Sequence, residues 1–228
     1  MKLKVASFNV HACIGSDGRF DPSRIADVIR ELDADVLALQ EVEHHKVDEQ
    51  DLLEYLAAVF GYETIAGTTM QRETRAYGNA LLTRLPILNT EIHDISVKPY
   101  EPRSLIKVQL MVGDKSLMVY ATHLGLMPFE RRLQVKHLLS LISKQSADVT
   151  VLLGDLNEWF LWGRPLRWLR QFFVKSPHIP SFPSAFPLFS LDRILVSPDS
   201  AMTSIGRHRT ALSKQASDHL PISAQIEI

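Results

Sequence analysis

Val149–Trp159 reads VTVLLGDLNEW, and the change from apolar to polar residues within it sets the fold class. Val149–Leu153 is a short apolar run rich in β-branched residues, the pattern of a strand buried on both faces. Gly154 ends the run, and Asp155 and Asn157 follow with Leu156 between them. Alternate residues of an extended backbone point the same way. Asp155 and Asn157 are therefore expected together at the strand's C-terminal edge. An acceptor-only carboxylate beside an amide suits a site that handles a phosphate, a metal or an attacking water. Asp and Asn are also ordinary turn residues after a strand, so the other strand ends have to decide.

Outward from that stretch, helices and strands alternate along the whole chain. Upstream, Phe129–Ser143 places Val135, Leu138, Leu139 and Ile142 on one stripe of a helix. Before it, strands are expected at Ile87–Ile95, Leu105–Met111 and Leu117–Thr122, with Gly113-Asp114 as a hairpin turn and His123 closing the third. Nearer the N-terminus, Val5–Val10 reads as a strand ending at Asn9. Asp21-Pro22 opens a helix as N-cap and first residue, with Ile25, Val28, Ile29 and Leu32 inward. Val36–Leu39 is a second buried strand followed at once by Gln40-Glu41. A helix over Gln50–Phe60 and strands at Tyr62–Thr68 and Gly78–Thr83 come next, with MQRETRAY (70–77) as a polar loop between those strands. Downstream, strands are expected at Ser190–Val196, near Ala201–His208 and at Pro221–Ile228, with Ser217-Asp218-His219 before the last. No repeat, low-complexity tract or linker divides the chain, so a single domain over 1–228 is expected.

A hydrophobic content of 46% supports a substantial core, and no apolar run is long enough to span a membrane. The N-terminal MKLKVASFNV alternates like a strand and lacks the apolar block of a signal peptide. Cys13 is the only cysteine, which excludes an intrachain disulfide and points to a reducing, cytoplasmic setting. The net charge of −1 leans against a dedicated nucleic-acid binder, which ordinarily shows a basic excess or face.

The polar residues at strand ends are Asn9, Glu41, His123, Asp155, Asn157, Asp192, Asp218 and His219. Each alone has a structural explanation as a cap, a solvated carboxylate or a hydrogen-bonded core histidine. Asp192 lies among apolar residues in SLDRILV, where an unpaired charge is costly, so it needs a partner such as a histidine. Ligands of open α/β sheets gather at the carboxyl ends of strands, where these residues recur. Without further information the pattern fits a doubly wound parallel sheet as well as other α/β folds.

The set resembles the endonuclease/exonuclease/phosphatase superfamily. The matching pieces are SFNV (7–10), LQEV (39–42), YGNALLTRLPI (77–87), THLG (122–125), GDLNE (154–158), LDRILV (191–196) and SDHLP (217–221), in the family's order. The resemblance implies an α/β (α+β) fold, a four-layer sandwich of two packed, mostly antiparallel β-sheets flanked by helices. It implies hydrolysis of a phosphate ester with Mg²⁺, or Mn²⁺. Glu41 would be the principal metal ligand, with Asn9 and Asp218 beside it or one water away. His219 and Asp192 would form a His–Asp pair, and Asp155 and His219 are both candidates to deprotonate the attacking water. Asn157 would orient the water or the phosphate, and His123 would serve a phosphate oxygen or the leaving group. Asn79 and Arg103 match more loosely as phosphate contacts.

Trp159–Phe189 is the one strongly biased segment. It holds all 3 tryptophans and 6 of the 10 phenylalanines, together with Arg164, Arg167, Arg170 and Lys175 and no acidic residue. On a helix, Trp162, Leu166, Leu169 and Phe173 would share one stripe. Such a surface could rest on an anionic membrane, stack on nucleic-acid bases or pack on the core. The segment joins Asn157 to Asp192 and is expected at the rim of the pocket. The expected activity is therefore a metal-dependent phosphodiesterase on a lipid head group or similar small ester. A nuclease is the alternative, and a non-catalytic membrane or protein adaptor a further one. The four groups Glu41, Asp155, Asp192 and His219 speak for an enzyme.

Overall fold

A computed structural model describes residues 1–43, 46–47, 50–72, 75–143 and 146–228. The first part of the chain contains β1 (Lys2–Asn9), α1 (Pro22–Leu32), β2 (Val36–Glu43), the short β3 (Lys46–Val47) and β4 (Gln50–Asp51), α2 (Leu52–Phe60), β5 (Glu63–Arg72) and β6 (Arg75–Thr83). The middle adds β7 (Ile87–Asp94), β8 (Ser104–Val112), β9 (Lys115–His123), α3 (Pro128–Ile142) and β10 (Val149–Asp155). The last part adds α4 (Arg164–Leu169), β11 (Asp192–Ser197), β12 (Met202–Arg207), α5 (Ala211–Ala216) and β13 (Ile222–Glu227).

The main strands form a six-stranded sheet, β12-β13-β1-β2-β6-β5, and a five-stranded sheet, β11-β10-β9-β8-β7. Within them only the β1–β2 and β9–β10 pairings are parallel. Alternation sorts the apolar residues into three layers. Leu3, Val5, Val36, Ala38, Val119, Val151 and Leu153 fill the space between the sheets. Phe8, Leu37 and Leu39 face outward onto α1 and α2, while Tyr120, Leu152 and Leu195 face outward onto α3 and α4. Helix, sheet, sheet and helix thus stack in four layers, and the parallel doubly wound alternative does not apply. No helix among the described residues is long and apolar enough to cross a membrane.

Capping explains why α1 starts where the sequence placed it. The Asp21 side chain accepts from Arg24 N, Pro22 occupies the first turn, and Ile25, Val28, Ile29 and Leu32 are buried. Elsewhere four local expectations are corrected. Residues 70–77, read as a polar loop, instead extend the β5–β6 hairpin, which is paired out to Arg72 and Arg75. A polar hairpin tip needs only main-chain pairing, so side-chain polarity did not mark it, and Glu73 and Thr74 lie outside the described residues. Gly154 does not end its strand. It sits within β10 at φ +141, where a Cβ would lie 1.8 Å from Thr122 O, so only glycine allows the close approach of β9.

Asp192 opens β11 rather than lying inside it. It faces the inter-sheet layer with Ile194 and Val196, while Arg193 points to the opposite face and donates to Pro177 O. The Trp162–Phe173 stripe is the fourth correction. Helix α4 covers only Arg164–Leu169, and Leu166, Leu169 and Phe173 are buried on the α3 side of the core. Trp162 precedes the helix and is 71% exposed. The helix therefore turns its apolar face to the protein and does not lie on a membrane by that stripe.

Candidate active site

At one end of the inter-sheet layer the apolar side chains give way to polar ones on the same inward faces. On β1, Leu3 and Val5 are followed by inward Ser7 and Asn9. On β10, Val151 and Leu153 are followed by Asp155, whose register partners are His123 on β9 and Asp192 on β11. Strand pairing alone thus lines up His123, Asp155 and Asp192 in one row.

Glu41 reaches the same place by a different device. The β2–β6 ladder slips between Leu39 and Val42, and Glu41 has φ 56. A bulge of this kind puts an extra residue on one strand. Both Gln40, which accepts from Ser7 Oγ, and Glu41 are thereby turned toward the layer between the sheets. The sequence reading ended the strand before Gln40 and could not see this.

Asp155 Oδ2 is the focus of the site. Asn9 Nδ2 donates to it at 3.2 Å, His123 Nε2 lies 3.6 Å away and His219 Nε2 3.8 Å away. Its other oxygen accepts Asn157 N at 2.8 Å. Asn157 has φ 50, so a turn and not extended backbone brings its amide back. The Asn157 side-chain Nδ2 donates to Leu124 O at 2.9 Å and lies 3.0 Å from His123 Nε2. His219 Nδ1 stands 2.8 Å from Asp192 Oδ2, which also accepts from the buried Ser181 hydroxyl. Asn9 Nδ2 continues to Glu41 Oε1 at 3.0 Å, linking the row to the bulge.

These contacts set the charges. Burial alone would strip the proton from His219, but the Asp192 and Asp155 carboxylates outweigh it and push the imidazole up to about 10. Burial, reinforced by the charge of Asp192, raises Asp155. His123 is driven down to about 3 by burial and by Arg103. Arg103 Nη1 faces His123 Nδ1 from 3.4 Å and the Asn157 Nδ2 donor faces Nε2 from 3.0 Å, so donors on both sides of the ring disfavour a second proton. Burial opposes ionisation of Glu41, yet the hydrogen bonds from His11 and Asn9 hold its carboxyl well below the usual range.

A cavity of about 310 Å³ opens onto this group and is lined by Glu41, Arg103, His123, Asp155, Asn157 and His219. Leu126, Trp159, Phe182 and Leu191 form its apolar wall. The Trp159–Phe189 segment does return to the pocket, with the Phe182 ring 4.8 Å from His219 and the Trp159 ring 5.9 Å from Phe182. Asn79 does not line the cavity. Its amide donates to Ser104 O at 3.1 Å and braces the residue after Arg103. Asp218 stands at the outer edge, joined to Glu41 through His11, whose Nδ1 is 3.6 Å from Asp218 and 3.4 Å from Glu41.

Four contributing residues escaped the sequence reading. His11 carried a signal, being a titratable side chain two positions after Asn9. Glu158 lay within the GDLNE motif. It is 3.4 Å from Arg131 Nε, both residues are buried, and Arg131 Nη1 donates to Gly125 O and Leu126 O behind His123. Ser217 lay within the SDHLP motif, and Ser181 carried no signal. Ser217 Oγ donates to Asn9 O and accepts His219 N, tying the last loop to the first strand.

Two groups of oxygen donors offer themselves to a divalent cation. Asp155, Asp192 and His219 are the group whose ligand atoms fall within 4.8 Å of one another among the described residues. Its histidine is already engaged with Asp192, whose carboxylate is buried and does not line the cavity. Glu41 and Asp218 have side chains 24% and 37% exposed, which suits an ion that keeps several of its waters. Asn9 turns its amide oxygen to His11 N, so direct ligation would require its amide to rotate.

The profile of the Endonuclease/Exonuclease/phosphatase family matches residues 6–219. An Escherichia coli (strain K12) protein, the uncharacterized YbhP, is 30% identical over 99% of this chain and 96% of its own. An endonuclease/exonuclease/phosphatase from Beutenbergia cavernae superposes with a TM-score of 0.79 at 22% identity, covering 100% of this chain and 72% of that one. A D. rerio TDP2 complexed with single strand DNA product gives a TM-score of 0.73 at 17% identity, covering 100% and 99%.

Proposed function

Because the chain belongs to the endonuclease/exonuclease/phosphatase family, whose members are metal-dependent phosphoester hydrolases, we propose that it is a Mg²⁺-dependent phosphodiesterase acting on a lipid head group or similar small ester. The observation that carries this reading is the row His123–Asp155–Asp192 meeting His219 and Glu41 around one cavity. A binding module or adaptor has no use for a raised carboxylate between two imidazoles.

In the proposed mechanism Glu41 and Asp218 would hold the cation, and Asn9 would join them only with its amide turned. Bound there, Mg²⁺ or Mn²⁺ would neutralise charge on the phosphoryl oxygens. Asp155 accepts the proton of the attacking water, a role favoured by its raised proton affinity. His219 stays protonated through Asp192 and balances the negative charge that develops on the phosphate. His123, held neutral, borders the phosphate site with Arg103 behind it and Asn157 at its Nε2. Asn157 orients the water.

The substrate preference is supported by the rim. Leu126 and Phe129 in the turn before and at the start of α3 are 63% and 57% exposed, and Phe160 and Trp162 stack nearby with rings 5.4 Å apart. Exposed Arg164, Arg167 and Arg170 lie in the same region. Large apolar side chains with cations beside a catalytic mouth suit an amphiphilic anionic ester at a membrane surface. A nuclease is the second reading, suggested by the shared fold of the DNA-bound TDP2. The test is hydrolysis by metal-stripped protein with Mg²⁺ or Mn²⁺ restored, against phospholipids, inositol phosphates, bis(p-nitrophenyl) phosphate, abasic DNA and plain nucleic acids. Metal-dependent turnover of a small or lipid diester is expected. Turnover confined to nucleic acid would replace the substrate, and absence of any metal-dependent turnover would overturn the enzyme.

A further inference from the structure

A second and larger cleft, about 730 Å³, adjoins the catalytic cavity, and Arg103 lines both. Resting on the phosphodiesterase reading above, we propose that this cleft receives the organic substituent that stays on the phosphate after hydrolysis, a flat ring system of nucleoside size.

Arg103 is the partition between the two spaces. It is buried, with Nη1 held by Glu101 at 2.8 Å and directed at His123, while Nε is buried without a partner among the described residues. A buried guanidinium with a free donor is costly unless an acceptor arrives. An anionic oxygen between the two cavities supplies one. The partition is also fixed in place, because Ser104 donates to Gly67 O on the opposite sheet and its carbonyl takes Asn79 Nδ2 and Thr122 Oγ1.

Size and chemistry then argue for the occupant. The catalytic cavity, about 310 Å³, is at the small end of ligand sites, which run to roughly 1,000 Å³. It suits the phosphate and the atoms next to it. Beyond Arg103 the cleft presents Ile92, Tyr100 and Pro102, faces suited to stacking on a ring, with Asp94 and Lys98 along its polar edge. A monoester would leave this space empty. The apolar wall of Leu126 and Trp159 borders the catalytic cavity and not this cleft, so the two ester substituents leave the phosphate along separate surfaces.

The decisive comparison uses two diesters with the same leaving group, the p-nitrophenyl ester of thymidine 5′-monophosphate and methyl p-nitrophenyl phosphate, under the same Mg²⁺ or Mn²⁺. The wild type should favour the thymidylyl ester in kcat/KM by about 10-fold or more. Thr68→Trp, at the cleft's edge on β5, should abolish that ratio mainly through KM. Tyr100→Ala is the second variant if the first is poorly folded. Equal kcat/KM for the two esters in the wild type, or a ratio unmoved by both variants, overturns the proposal. If neither ester is hydrolysed, the phosphodiesterase reading fails and calorimetry with thymidine 5′-monophosphate and methyl phosphate decides the cleft. Tighter binding of the nucleotide that Thr68→Trp removes supports it, and equal binding overturns it.

Discussion

Asp155 and Asp192 are register partners across β10 and β11, so main-chain hydrogen bonds hold two carboxylates side by side. Their repulsion is relieved by His219, 2.8 Å from Asp192 and 3.8 Å from Asp155. Asp192→Asn should therefore release the histidine. In metal-free protein its NMR titration is expected to fall from about 10 toward or below its ordinary 6.5. A folded-state value above the unfolded one stabilises fully below pH 6.5 and is lost as pH rises toward 10, so the variant should flatten that part of the stability profile. Turnover should drop by ~10²–10⁴-fold. An unmoved His219 titration would sink the assignment.

Glu41 is expected to be indispensable to metal binding and not to folding. Glu41→Gln keeps the side chain's size in the bulge and removes its charge. Calorimetric Mg²⁺ binding should be lost and activity should fall by about 10²-fold or more, the scale of losing a contact made to developing charge. Thermal unfolding should shift by only a few degrees. Wild-type turnover at ordinary Mg²⁺ would rule Glu41 out as the main ligand.

His123 works in the opposite direction to His219. Its folded-state value is lowered to about 3, so the unfolded chain takes up a proton near pH 6.5 that the folded one refuses. Stability is lost as pH falls from 6.5 toward 3, with a slope approaching about 1.4 kcal/mol per pH unit. Urea unfolding of the wild type and His123→Gln at pH 4.5 and pH 7.5 measures this. The variant should lose less stability between the two conditions. Parallel losses would mean that His123 titrates normally.

The Arg131–Glu158 pair carries a mechanical prediction. Both side chains are buried, and they clamp the Gly125–Leu126 backbone to the turn after Asn157. Glu158→Ala leaves a buried cation unpaired and should cost about 3–5 kcal/mol. Arg131→Met with Glu158→Leu should cost much less than the sum of the two single changes. Additive losses in the double-mutant cycle would show that the two residues do not act as a pair.

Strand ends were legible because apolar runs and the polar residues after them both leave a mark in one dimension. The inward row was partly legible for the same reason, since Asp155 follows Leu153 and Val151 on one face. What stayed hidden depends on two strands at once. The bulge at Glu41 exists only relative to β6, and the serine clasps at Asp192 and Asn9 join residues far apart in the chain. The Trp159–Phe189 stripe had helical spacing but no indication of what it faced. Its middle packs on the core, and its exposed aromatics lie on either side of α4, at Trp159, Phe160 and Trp162 before it and at Phe186 and Phe189 after it.

Asp192 and Arg193, opposite charges adjacent in sequence, are sent to opposite sides of the five-stranded sheet. The sheet keeps the guanidinium from ion-pairing with the carboxylate, although Arg193 still feels its charge. An arginine on the same side would quench the carboxylate permanently, since a guanidinium does not give up its proton in this pH range. With that cation turned away, Asp192 takes its counter-charge from His219, which keeps its proton at neutral pH and releases it only toward pH 10. Alternation along a single strand thus reserves a carboxylate for exchangeable charge.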